Sequence, residues 1–217
     1  MVVTHMRNKI AKLSSKRNSK QRWIFFLKES PQYLNINLAS YNGFYNLTAT
    51  YRIDSDIANS YETWAKMSWS FNPSFDSTFD YHATKTQMAA AVISNCDANS
   101  NRLKYIKELQ RFIKVDVFGK CGQKCPDKFE ATDQTGDCKE IISKKYMFYL
   151  AFENSICTDY ISEKFFNILK YDIVPVVLGG GNYEYYVNIL LFDLKQFCFL
   201  FFEKVVQNFL RYPSQDL

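Results

Sequence analysis

Met88-Ala89-Ala90-Ala91-Val92-Ile93 is an uninterrupted apolar run of strand length. A polar cluster at 94–101 follows it, in which Ser100 or Asn101 is placed to cap a helix. Leu103, Ile106, Leu109 and Ile113 then recur at helical spacing, with Lys104, Lys107, Glu108 and Arg111 on the other face. Val115-Asp116-Val117-Phe118 is the next strand, closed by Gly119. Strand, helix and strand within about 30 residues make a βαβ unit, whose two strands lie parallel in one sheet.

The unit repeats. Met147 to Phe152 reads as a strand, Glu153 to Asp159 as a polar turn, Ile161, Phe165, Ile168 and Leu169 as an apolar helix face, and Ile173 to Leu178 as a third buried strand. The fold class is therefore α/β, with a Rossmann-type parallel sheet. In such sheets ligands bind beyond the carboxyl ends of the strands. The polar segments after residues 93, 152 and 178 all lie there.

On the amino-terminal side, Trp23-Ile24-Phe25-Phe26-Leu27 reads as a short buried strand that ends at Glu29-Ser30-Pro31, and Leu47 to Ile53 as a second strand. Residues 54–86 read as surface loop and short helix. Residues 119–140 read as an inserted loop. Asn188 to Leu210 is rich in Phe and Leu, with a charge-free core at Phe197-Cys198-Phe199-Leu200-Phe201-Phe202 that is aggregation-prone if exposed.

Composition narrows the function classes. With 217 residues, 47% hydrophobic and 23% charged, the chain is long enough for one or two packed domains. The net charge of +5 comes from the leader. Residues 1–28 hold eight Lys or Arg and no acid, while the rest carries 19 basic and 22 acidic residues. A mildly acidic body argues against nucleic acid as the partner. No run reaches the ~18 apolar residues of a membrane-spanning helix, and the basic opening lacks the apolar core of a signal peptide. Six cysteines and the sequon Asn46-Leu47-Thr48 point to the secretory pathway.

Several stretches resemble the alpha-1,3-fucosyltransferases of the Golgi, most closely the invertebrate members that act on the N-glycan core. Tyr146 to Ser155 (YMFYLAFENS) with Asp159 to Phe166 (DYISEKFF) is similar to the family's "FYLAFENS…DYITEKFF". Val174 to Gly179 matches "VPVVLG". Val92 to Cys96 with Arg102 resembles "VSNC…R", Val115 to Gly119 "VDVFG", Tyr51 to Ile57 "YRRDSDI", and Leu27 to Pro31 "LLESP". The resemblance runs over about residues 22–187.

The resemblance implies a GT-B-like architecture of two Rossmann-like domains. Residues 1–22 are then a disordered basic leader, 23–85 a partial acceptor-side domain, 86–187 the donor domain that binds GDP-fucose, and 188–217 an atypical apolar tail that looks mis-translated. The implied reaction is inverting transfer of L-fucose from GDP-fucose to a glycan hydroxyl. The resemblance implies Glu29 as the base for that hydroxyl, Arg102 and Lys164 as diphosphate cations, and Glu163 as a partner of ribose or fucose hydroxyls. Ser94, Asn95, Tyr149, Asn154 and Tyr160 are expected to line the nucleotide and fucose pocket. Taken on spacing alone, Glu29 is a loop carboxylate, Arg102 a solvated helix-face charge, and Glu163-Lys164 an exposed ion pair.

No cofactor is expected besides the donor substrate, and no metal. Asp54-Ser55-Asp56 imitates a metal-binding D-x-D but falls in the acceptor half and reads as structural. Gly179-Gly180-Gly181 lacks phosphate-loop spacing and reads as a tight turn. Expected partners are GDP-fucose and an N-glycan acceptor, in a Golgi enzyme with a lumenal catalytic domain and a membrane anchor outside this chain.

Cys121, Cys125 and Cys138 have the makings of three zinc ligands. The family carries cysteines in these places, consistent with disulfides, and a Cys96–Cys157 bridge would join two strand ends. The connectivity stays open. Family sequences differ before residue 22 and after Val187, so the expectation is an incomplete piece with little transferase activity. The alternatives are a GDP-sugar-binding remnant without catalysis, and an amphipathic membrane or partner helix at 188–210.

Overall fold

A computed structural model describes residues 2–5, 18–34, 37–61, 85–125 and 137–190. Among these are two parallel four-stranded sheets. The first has the order β1 (Val2–His5), β2 (Trp23–Leu27), β3 (Leu47–Thr50), β4 (Ile57–Ala58). The second is built from β5 (Gln87–Val92), β6 (Val115–Phe118), β7 (Tyr146–Phe152) and β8 (Val174–Leu178), in the order β6-β5-β7-β8. Both sheets belong to one compact unit; a second unit includes helix α4 (Tyr183–Leu190), whose start is capped where the Asn182 carboxamide accepts from the Tyr185 amide at 3.0 Å.

The order of the second sheet decides where a ligand fits. The chain leaves β5 for β6 on one side, then crosses back so that β7 pairs with the other side of β5. The strand order reverses between β5 and β7, which opens a crevice beyond their carboxyl ends. Helix α1 (Arg102–Leu109) makes the first crossover and buries Ile106 and Leu109. Helix α2 (Asp137–Lys145) makes the second and packs on β7 and β5, and the short helix α3 (Glu163–Phe166) packs on β7. β7 is buried on both faces, with Phe148, Tyr149, Leu150, Ala151 and Phe152 all in the core, which is why it reads as a continuous apolar run rather than an alternation.

Five expectations are revised. Val2–His5 lies in the stretch expected to be disordered, yet it pairs in parallel with β2; its β-branched Val-Val-Thr suits an edge strand. The strand expected to Ile53 stops at Thr50, where the Thr50 hydroxyl accepts from the Arg52 amide and Arg52 folds back on Asp54. Ile57–Ala58 adds a fourth strand within a presumed loop. Helix α2 occupies part of the segment expected to be loop to residue 140. The helix expected from Ile161 to Leu169 is regular only at Glu163–Phe166, and turns carry Ile168 and Leu169 into the core. The expectations for residues 6–17, 62–84, 126–136 and 191–217, the apolar tail included, lie outside the described residues.

The cysteines pair as Cys96–Cys121 and Cys125–Cys138, and Cys157 carries no disulfide. The Cys96–Cys157 bridge is thus replaced, because the Cys121 amide donates to the carbonyl of Ile93 at 3.1 Å and brings its loop against the end of β5. The three-cysteine zinc set falls too, since all three sulfurs are in disulfides and none is a thiolate. Gly119 permits this loop: its φ is +93°, and a Cβ there would lie 2.7 Å from the Ile93 oxygen.

Two outcomes follow for stability. A peptide map without reductant will link Cys96 to Cys121, and replacing both by Ser will cost about 3.5 kcal/mol in urea unfolding, the loop-closure value for 25 residues. Gly180→Ala will cost about 1–3 kcal/mol, since its Cβ would meet the Cys157 carbonyl oxygen at 2.3 Å and that oxygen is fixed backbone.

Candidate functional site

The crevice between β5 and β7 is tied at the carboxyl ends of these strands by one buried cation. Arg102 opens α1 and is 3% exposed. Its Nη1 donates to the Phe152 carbonyl at 2.9 Å and its Nη2 to the Asn95 carbonyl at 3.1 Å, one oxygen from each side of the strand reversal. Its Nε is buried without a hydrogen-bond partner. Burial lowers the Arg102 pKa, opposed chiefly by Glu153. The sequence places this cation in a first helical turn, as found; spacing alone would leave it solvated, whereas its guanidinium clamps two strand ends. Ser100, the other cap candidate, donates its hydroxyl to the Glu153 carbonyl at 2.6 Å, and Asn101 starts the helix in the left-handed region at φ 53° with no side-chain cap.

Next to the clamp sits a cluster of charge. Glu153 follows β7 and is fully buried. Its Oε1 accepts the Ser162 amide at 2.7 Å and its Oε2 the Ser162 hydroxyl at 2.7 Å, and the Lys164 ammonium stands 3.5 Å from Oε2. Lys164 Nζ also donates to the Ser162 hydroxyl oxygen at 2.9 Å and to Glu163 at 3.1 Å. Burial raises the Glu153 pKa despite Lys164 and the Ser162 donors. Both carboxyl oxygens face donors, the arrangement that favours the carboxylate over the neutral acid. For Lys164, burial works downward but Glu153 and Glu163 outweigh it and hold the ammonium above its usual range. For Glu163, burial works upward but Lys164 wins and the carboxyl lies low. Glu163 is about half exposed and Lys164 19% exposed, so both present atoms to solvent at the carboxyl edge.

Loops from the first sheet meet this edge. Glu29, half-buried after β2, accepts from the Tyr160 hydroxyl at 3.4 Å, across 131 positions of chain. Ser30 is fully buried and donates to the Ser155 hydroxyl at 2.7 Å. The Tyr33 hydroxyl accepts from Asn95 Nδ2 at 2.9 Å and donates to the Asn154 carbonyl at 3.3 Å, so it bridges the two sides of the crevice. Lys28 lies over the Tyr61 ring at 4.4 Å, and burial lowers its pKa against the pull of Glu163.

Of the nine expected site residues, Glu29, Asn95, Arg102, Asn154, Tyr160, Glu163 and Lys164 gather around this edge. Ser94 is exposed just beyond β5. Tyr149 and Tyr160 are each 1% exposed, and burial pushes both phenols far up. Tyr149 stands within the sheet, and Tyr160 packs edge-on against Tyr51 at 4.8 Å. Their rings are core in this structure rather than open pocket wall. Asp54 pairs with Arg52, and Asp56 accepts from the Thr48 amide and hydroxyl. Among the described residues no three His, Cys, Asp or Glu are grouped to hold a metal.

Sequence reasoning missed Glu153, Ser162, Ser30 and Tyr33 as site residues. Glu153 had a signal: it is the first charge after a seven-residue apolar strand. Ser30 and Tyr33 had none, because their partners are more than 60 positions away.

Comparison with known proteins agrees with the geometry. Residues 82–197 match the C-terminal model of glycosyltransferase family 10 (fucosyltransferase), and residues 1–62 match the fucosyltransferase N-terminal model. The chain is 37% identical to alpha-(1,3)-fucosyltransferase C of Drosophila melanogaster over 78% of this chain and 42% of that protein. It is 40% identical to the glycoprotein 3-alpha-L-fucosyltransferase A of the same fly, over 79% and 33%. It is 41% identical to a human 4-galactosyl-N-acetylglucosaminide 3-alpha-L-fucosyltransferase, over 78% and 44%. The chain thus spans less than half the length of these relatives. A crystal structure of an alpha1,3-fucosyltransferase with GDP-fucose superposes on 81% of this chain and 63% of its own, with TM-score 0.52 at 13% identity, which establishes the GT-B-like α/β fold. The chain belongs to glycosyltransferase family 10, the fucosyltransferases.

Proposed function

We propose that the protein transfers L-fucose from GDP-fucose to a glycan hydroxyl in alpha-1,3 linkage, with inversion at the anomeric carbon. One observation carries the reading: the Glu29 carboxylate, from the first sheet, meets Tyr160 at 3.4 Å beside the Glu163–Lys164 pair of the second sheet. A base and a cation on opposite walls are what a single displacement needs. The Glu29 carboxylate takes the proton of the acceptor hydroxyl as its oxygen bonds to the anomeric carbon. The bond from that carbon to the GDP oxygen breaks, and the electron pair leaves with GDP. Lys164 supplies positive charge to the departing diphosphate. Arg102 contributes from behind, through its charge and by fixing the crevice mouth.

The same reading puts the acceptor, an N-glycan, on the side of the first sheet, and the protein in the lumen of the Golgi. Two disulfides favour an oxidising compartment. Among the described residues no helix is long and apolar enough to cross a membrane.

Calorimetry with GDP and with UDP tests the donor: GDP will bind the tighter, and preference for UDP would sink the assignment. In an assay of fucose transfer, Glu29→Gln will lower kcat on the order of 10²–10⁴-fold while GDP affinity holds within about twofold. Lys164→Ala will lower kcat on the order of 10²–10³-fold and weaken GDP as well. Equal losses of GDP affinity in both variants would remove Glu29 from the base role.

A further inference from the structure

Glu153 is the one fully buried carboxylate among the described residues, and the proposed reaction leaves it unused. Taking a carboxylate out of water costs several kcal/mol unless its partners are well made. The partners here are specific. Ser162 spends its amide and its single hydroxyl proton on the two Glu153 oxygens. The Ser162 oxygen is thereby turned to accept, and it does so from the Lys164 ammonium at 2.9 Å. Glu153 Oε2 faces that same ammonium at 3.5 Å. Two links thus run from Glu153 to Lys164, one direct and one through Ser162. The second carboxylate, Glu163, holds the ammonium from the exposed side at 3.1 Å.

We propose that Glu153 is a positioning residue: directly and through Ser162 it fixes the Lys164 ammonium, charged and in place, at the carboxyl edge of the second sheet. That this ammonium then meets a nucleoside diphosphate rests on the function proposed above. Four charged groups act on Lys164: Glu153 and Glu163 favour its charge, while Arg102 and Lys139 oppose it. Removing the Glu153 charge leaves Glu163 alone against two cations and the cost of burial, so the Lys164 proton comes off at lower pH.

The test separates the two claims. Glu153→Gln keeps an acceptor for the Ser162 amide, removes the charge and puts an NH2 donor where Oε2 had accepted the Ser162 hydroxyl. Ser162→Ala keeps the charge and removes the relay. Lysine acetylation by acetic anhydride between pH 7 and 11, mapped by mass spectrometry, reports Lys164 without any nucleotide. In Glu153→Gln the Lys164 labelling midpoint will fall to lower pH, with a smaller fall in Ser162→Ala, while surface lysines such as Lys104 keep theirs. GDP affinity at pH 8 will drop on the order of tenfold in Glu153→Gln. An unmoved Lys164 midpoint in Glu153→Gln overturns the positioning role, whatever the nucleotide does. Should Glu153→Gln fail to fold, Glu153→Asp, which draws the carboxylate back from Lys164, takes its place, and an unmoved Lys164 midpoint there overturns the role equally. A shifted Lys164 midpoint in Glu153→Gln, together with a wild type that does not bind GDP, upholds the positioning role and removes the fucosyl-transfer reading.

Discussion

Two charges out of contact with water, side by side at the end of β7, are the constraint on which the rest of this molecule depends. Arg102 holds the carbonyl of Phe152, and the very next residue is the buried Glu153. Neither charge is tolerable alone in a protein interior. Each is held by groups that come from elsewhere in the chain: the carbonyl after β5 for the Arg102 Nη2, Ser162 and Lys164 for Glu153. The crevice mouth, the turn from Asn154 to Ile161 and the start of α3 therefore take their shape together. A change in one alters what the others must neutralise.

The first sheet is attached to this arrangement by hydroxyl groups. The buried Ser30–Ser155 pair and the Tyr33 bridge hold the segment that carries Glu29 against the loops after β5 and β7. Such contacts are short-range and directional, and each is worth on the order of 1 kcal/mol net. They set the separation between the two walls together with the edge-on contact of Tyr51 with Tyr160.

Much of the second sheet was legible because its strands are continuous apolar runs and α1 has a clean helical period. β5, β6, β7 and β8 all lie within a residue or so of where hydropathy puts them. The first sheet was harder. Val2–His5 and Ile57–Ala58 are edge strands of four and two residues, and nothing in so short a stretch distinguishes a strand from a loop. α2 was hidden by its polar sequence, Asp-Cys-Lys-Glu, in a segment dominated by cysteines. In the site, the family motifs marked Glu29, Arg102, Glu163 and Lys164, but residue type alone could not say that Arg102 would be buried. Its burial depends on carbonyls placed by β5 and β7, a tertiary fact. For the same reason Cys96 was matched to a partner at another strand end, when the Ile93 carbonyl had already drawn Cys121 to it.

The Ser30–Ser155 contact also imposes an order in time. The two hydroxyls are 125 residues apart in the chain. At the usual pace of synthesis, about 5–20 residues per second, the ribosome needs roughly 6–25 s after making Ser30 to make Ser155. During that interval β2 and β3 are complete and able to pair, while the Ser30 hydroxyl and the segment bearing Glu29 have nothing to rest on. The newborn first sheet thus waits with the loop after β2 lacking its partner from the second sheet.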